Sequence, residues 1–372
     1  MKLNRLFVAL AALAILFAAS AAQAEKTIVL GYSLPLTGSH AKYGEVFRNA
    51  AQIQLEKFNK SGKLPGATVE ILYEDSKSDP KEAINIARKF VDDERVVGVL
   101  GDFTSTVSMA AGRVYAMEGM PQLSQTASHP DFNKIGDFQF RNITTQAFEG
   151  PFVAKWATSL GYKKFAIVAI QNDWGISAAE NFAKGLKDLG GEVTDIEYFN
   201  PGNRDFRSIL TKVARDKPQA IYLCMMYEEG AMILQQRKQL GIDIPFFGTS
   251  SLYSPKLLEL AGDSANGLLL STTFMPDSPE ANVVEFVTEY KKRYGDDPSM
   301  FAAQAYDAVG IMLDAIASVG ADVNRQSLRD ALAATKGYPG VTGSTSFDPE
   351  TREPVKGLAR MRIEDGAFHL VD

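Results

Sequence analysis

Strand-like and helix-like segments alternate along this chain, and the alternation starts over once. Residues 27–33 read as a strand, 43–59 as an amphipathic helix, 68–73 as a strand, 80–93 as a helix and 96–100 as a strand. The pattern resumes with a strand at 165–170, a helix at 176–189, a strand at 192–198, a helix at 206–216, a strand at 220–224 and a helix at 229–240. Strands separated by helices are joined through right-handed crossovers into a parallel sheet, so each run specifies an open, doubly wound α/β lobe. Beyond residue 272 the rhythm changes to three helical patterns at 280–294, 300–318 and 326–335, followed by short strands over 344–371. Such a tail cannot bury a core of its own. It must return to complete the two lobes, which makes several crossings between them and hence a hinge.

The N-terminus carries Lys2 and Arg5, an apolar run from 6 to 19, and Ala22-Gln23-Ala24. That is the grammar of a secretory leader cut after Ala24, with an apolar run too short to span a membrane. Its removal takes two positive charges, moving the net charge from −6 to −8, and leaves 348 of 372 residues, enough for two domains. The mature chain is expected in the periplasm, and its acidity excludes nucleic acid as a natural partner. One cysteine, Cys224, lies in an apolar run and can form no intrachain disulfide. His40, His129 and His369 have no metal-ligand spacing, so neither a metal nor a cofactor is expected.

Two hydroxyl-rich turns stand where strands should end: Gly101-Asp102-Phe103-Thr104-Ser105-Thr106 and Ser124-Gln125-Thr126-Ala127-Ser128. Backbone N–H groups at a helix start, flanked by hydroxyls, can hold an anion without a cationic side chain. Helix capping uses the same residues and is the competing reading. Matching aromatics support a duplicated plan, because Tyr43-Gly44 opens the first helix of one lobe and Trp174-Gly175 that of the other. In open α/β sheets ligands bind beyond the carboxyl ends of the strands, where these rings project.

The run Ile28-Val29-Leu30-Gly31-Tyr32-Ser33-Leu34-Pro35-Leu36-Thr37-Gly38, with Tyr43-Gly44, Asp79-Pro80, the Gly101–Ser105 turn, Glu118-Gly119 and Thr126-Ala127-Ser128, resembles the Leu/Ile/Val-binding proteins. Those are type I periplasmic binding proteins of ABC importers. The resemblance covers the mature chain and implies two lobes joined by three crossings, one formed by 25–145 plus 274–347 and the other by 146–273 plus 348–372. It further implies a small-molecule carboxylate ligand held by Ser105, Thr126 and Ser128, cleft aromatics at Tyr43, Trp174, Tyr227 and Phe301, an ABC permease as partner, and a monomer.

Where amino-acid binders of the family place acids to pair the ligand ammonium, this chain has Gln146 and Ser250. A buried ammonium without its partner costs about 3–5 kcal/mol, or two to four decades in affinity. Asp102, Glu149, Asp173, Glu228 and Glu229 lie nearby, each read as a solvated charge or as an acid favoured by a helix dipole. The neutral positions therefore favour an aromatic or other non-amino organic acid, with Gln146, Ser250 or Tyr253 meeting a polar group at its far end. Amino acids and amides remain the alternative. An enzyme is disfavoured by the absence of a phosphate loop, nucleophile elbow or His-Glu-x-x-His. A ligand-sensing module is not distinguished from a transport component.

Overall fold

A computed structural model describes residues 26–371; the leader read at 1–24 lies outside them. The first half builds β1 (Lys26–Leu34), α1 (Ala41–Lys60), β2 (Ala67–Asp75), α2 (Pro80–Asp92), β3 (Val96–Gly101), α3 (Ser105–Met117), β4 (Gln122–Ser124) and β5 (Gln139–Arg141). The second builds α4 (Gln146–Ser159), β6 (Lys164–Ile170), α5 (Asp173–Asp188), β7 (Glu192–Phe199), α6 (Arg207–Arg215), β8 (Ala220–Cys224), α7 (Tyr227–Gln239), β9 (Phe246–Gly248), α8 (Pro255–Ala261) and β10 (Leu269–Thr272). There follow α9 (Ala281–Tyr294), α10 (Met300–Val319), α11 (Arg325–Ala333), β11 (Tyr338–Gly340), β12 (Gly343–Phe347), β13 (Pro354–Val355), β14 (Ala359–Glu364) and β15 (Ala367–Val371).

The repeat seen in the sequence is a repeat of topology. The first sheet runs β2-β1-β3-β4-β5, and the parallel part of the second runs β7-β6-β8-β9-β10, the same order. Strands β14 and β15 extend the second sheet, antiparallel, beyond β10. The chain thus crosses between the lobes three times: after β5, after β10 so that α10 and α11 pack on α1 and β3, and between β13 and β14. Parallel strands covered on both faces need unbroken apolar runs, and all five residues of β8, Cys224 included, are buried.

Helix starts differ from the sequence expectation where caps decide them. α5 begins at Asp173, three residues early, because the Asn172 side chain accepts from the Gly175 N–H at 2.8 Å. The shared aromatic–glycine pairs also find their reason here. A Cβ on Gly44 would stand 2.0 Å from the Pro35 carbonyl oxygen, and one on Gly175 2.1 Å from that of Ile170. In each lobe only glycine lets the helix start lie against the end of the preceding strand.

α10 is apolar and buried nearly all round, as a core helix must be. Its one buried charge, Asp307, accepts from the Val341 and Thr342 N–H groups at 2.8 Å each and from the Thr342 hydroxyl at 2.5 Å. Lys356, just beyond β13, donates to Thr342 and brings its ammonium within 3.9 Å of Asp307, with both side chains fully buried. Burial raises the Asp307 carboxyl and lowers the Lys356 ammonium to about 8, each opposed by the other's charge. This network ties α10 to the segment that leads into the third crossing.

Candidate ligand-binding site

The site forms where strand ends of the two sheets face each other. From the first lobe, β3 delivers Phe103, Thr104 and Ser105, and β4 delivers Thr126 and Ser128; from the second, β6 delivers Asn172 and Trp174, β8 Met226, and β9 Ser250 and Ser251. Ile143, Gln146, Met300 and Phe301 complete the wall of a cavity of ≈ 30 Å³. Ligand sites are typically some 300–1,000 Å³, so admitting a solute requires the lobes to part. The wall contains no charged side chain.

The two hydroxyl turns are cross-linked into one unit. Gln122 Nε2 donates to the carbonyls of Gly101 and Ser108, the Ser124 hydroxyl to that of Asp102, and the Thr126 hydroxyl to that of Phe103 at 2.7 Å. Buried Arg141 clamps the second turn by donating to the Ala127 and His129 carbonyls at 2.7 Å each. Thr126 was expected to offer its hydroxyl to a ligand; the structure commits that proton to Phe103. Ser105 and Ser128 differ. Ser105 Oγ accepts from the His129 N–H at 3.2 Å, and Ser128 Oγ accepts from Gln146 Nε2 at 3.2 Å, so both keep a proton to donate. Ser105 also opens α3, whose first N–H groups have no partner within the helix.

Seven of the nine expected site residues line this cavity: Ser105, Thr126, Ser128, Gln146, Trp174, Ser250 and Phe301. Tyr43 and Tyr227 do not. They line an adjoining depression with the outer face of Phe301, where their rings stand 5.2 Å apart. Tyr43 stacks on Phe103 at 4.4 Å, and the interposed rings set it back from the cavity. Phe103, Met226 and Met300 take up the apolar wall instead; the neighbours Thr104 and Tyr227 signalled the first two. Tyr253, considered for the far end of the ligand, packs on Phe368 at 4.3 Å and is absent from the wall.

The acids also need correcting. Asp173 is exposed as expected, but Asp102 and Glu149 are fully buried. Asp102 accepts from the Ser33 hydroxyl and the Phe103 N–H, and burial pushes it up to about 6. Glu149 lies directly behind the wall, accepting from the Ser250 N–H at 2.6 Å, the Ser271 hydroxyl at 2.6 Å and Gln146 Nε2 at 2.7 Å. No cation pairs with it among the described residues.

Comparison with known proteins now bears on this geometry. The family described as periplasmic binding protein matches residues 27–367. The chain belongs to that family. This binding protein is 30% identical, over 93% of its length and 92% of the other's, to the leucine-, isoleucine-, valine-, threonine- and alanine-binding protein of Pseudomonas aeruginosa. It is 51% identical to a Rhodospirillum rubrum protein described as a branched-chain amino acid ABC transporter, covering 93% of this chain and 100% of that one with a TM-score of 0.73. With the branched-chain amino acid substrate-binding protein LivJ of Streptococcus pneumoniae, solved with isoleucine, it shares 29% identity and a TM-score of 0.84, over 93% and 99% of the two chains. It is an ABC-transporter substrate-binding protein of the Leu/Ile/Val type with the type I fold.

At the mouth of its cleft the binding protein is tied shut by its own side chains. The Tyr43 hydroxyl donates to Glu228 Oε2 at 2.5 Å, joining the two lobes. Beside it, burial, reinforced by Glu228, pushes the Glu229 carboxyl up to about 7. A carboxyl raised in the folded state binds protons there that the unfolded chain has released. Its contribution is full below about pH 4.5 and is lost as pH rises through 7. Glu229→Gln should therefore gain stability relative to the parent between pH 4 and pH 8, by about 3 kcal/mol at 1.36 kcal/mol per unit. Urea melts at both pH values measure it, and a pH-independent difference would refute the assignment.

Proposed function

We propose that this protein captures a small carboxylate solute in the periplasm and presents it to an ABC permease. The observation that carries the reading is the charge-free cavity with hydroxyl donors at Ser105 and Ser128 and the N-terminus of α3, only one of whose first N–H groups is capped, by Thr104, at one edge. The remaining wall is apolar, from Phe103, Trp174, Met226, Met300 and Phe301, and can enclose an aromatic or other non-amino organic acid, with stacking worth roughly 0.5–1.5 kcal/mol beyond burial. A second reading, an amino-acid ligand, is favoured by the relatives' ligands and by the Glu149 carboxylate one side chain behind the wall.

The ligand docks on the first lobe at Ser105 and Ser128, and the second lobe closes over it with Trp174 and Ser250. Only contacts made in the closed form shift the balance toward it. The division into 25–145 plus 274–347 and 146–273 plus 348–372 is supported by the three crossings between sheets. Ser105→Ala should weaken every carboxylate ligand about 10- to 100-fold, the effect of losing a hydrogen bond to a charged group. Titration calorimetry across amino, aromatic and aliphatic acids tests this; unchanged affinity would reduce Ser105 to a helix-start residue with no ligand.

A further inference from the structure

We propose that Glu149 is a positioning residue that sets which carboxylates this site accepts, by turning Gln146 so that its carbonyl oxygen serves the cavity. The inference rests on the carboxylate reading above. Gln146 is 1% exposed and lines the cavity. Both of its amide hydrogens have partners, Glu149 Oε2 at 2.7 Å and Ser128 Oγ at 3.2 Å. Its Oε1 is buried with no partner among the described residues. A flipped amide would set oxygen against the Glu149 carboxylate, acceptor facing acceptor, so Glu149 fixes the orientation. Glu149 is itself held in place by the Ser250 N–H and the Ser271 hydroxyl, from two other segments of the second lobe.

The consequence is a ligand requirement. Because the same amide reaches Ser128, this unpaired acceptor and the carboxylate grip lie on one edge of the cavity. A fitting ligand carries a hydrogen-bond donor next to its carboxylate: an ammonium or hydroxyl on the α-carbon, or a hydroxyl ortho to an aromatic carboxylate. An unsubstituted acid leaves Gln146 Oε1 buried and unpaired, and a 2-oxo acid opposes it with a second acceptor.

Titration calorimetry on the whole mature protein tests this with skeleton-matched acids: 4-methylpentanoate and its 2-amino, 2-hydroxy and 2-oxo forms, and benzoate beside 2-hydroxybenzoate. In the skeleton that binds, the donor-bearing member should bind up to about 100-fold more tightly than its unsubstituted or 2-oxo counterpart, the cost of leaving a buried acceptor unpaired. The amino and hydroxy arms separate an ammonium from a hydroxyl requirement. Glu149→Gln frees the Gln146 amide to turn and should shrink the preference to below about tenfold; Ser271→Ala, a milder loosening of Glu149, should shrink it in part. Equal binding of donor-bearing and donor-lacking acids overturns the inference, as does an undiminished preference in folded Glu149→Gln. If that variant does not fold, the parent series and Ser271→Ala decide. Ser105→Ala keeps the two levels apart. If it weakens all acids in parallel while the donor preference is missing, only this inference fails. If no acid binds, or Ser105→Ala changes nothing, the carboxylate reading fails and this one with it.

Discussion

Asp307→Ala should lower the melting midpoint by roughly 4–7 °C, a loss of about 3–5 kcal/mol for a chain of this size. The substitution leaves two buried backbone N–H groups and the Thr342 hydroxyl without their acceptor, and the buried Lys356 ammonium without its countercharge, at once. Removing the cation instead, by Lys356→Met, should cost less, since Asp307 keeps the Val341 and Thr342 donors. Differential scanning calorimetry on both variants separates the two roles. Equal losses would mean that the ion pair, and not the backbone ties, carries the network; an unmoved midpoint in Asp307→Ala would mean that the network does not stabilise the fold.

Gly175→Ala should cost about 3 kcal/mol or more, the upper end for overpacking, because the new methyl meets a main-chain oxygen that no rotamer change can move. It should also displace Trp174, the adjacent cavity residue, and lower ligand affinity. Gly44→Ala should destabilise the first lobe to the same degree while leaving Trp174 in place. Thermal melts together with fluorescence of Trp174, read against Trp156, report both effects. A Gly175→Ala protein that melts and binds like the parent would show that the helix start can recede from the strand without consequence.

The fold was legible because parallel strands buried on both faces must be written as unbroken apolar runs, and β1, β3, β6 and β8 are. Two helices at the site, α3 and α4, were harder to read. The sequence of α3 is rich in small residues, and α4 is largely apolar and holds Pro151, so neither shows a clean stripe. Ser105, Ser128, Trp174 and Ser250 could be placed because each follows a strand end. Glu149 could not. An acid in the first turn of a helix ordinarily answers the dipole in solvent, and what buries this one are Ser250 and Ser271, 101 and 122 residues along the chain. The tyrosines were misplaced for a related reason: a strand end fixes where a ring starts, whereas Phe103 and Phe301 decide how far inward it reaches.

The bond from Tyr43 to Glu228 lies outside the cavity and belongs wholly to the protein. It therefore favours the shut form by the same amount whichever solute is inside. Loosening it, as in Tyr43→Phe, would speed release of every solute by a common factor and leave their rank order intact. On the roles proposed above, residence time and discrimination fall to separate residues of one cleft, so Tyr43→Phe should change the first without the second.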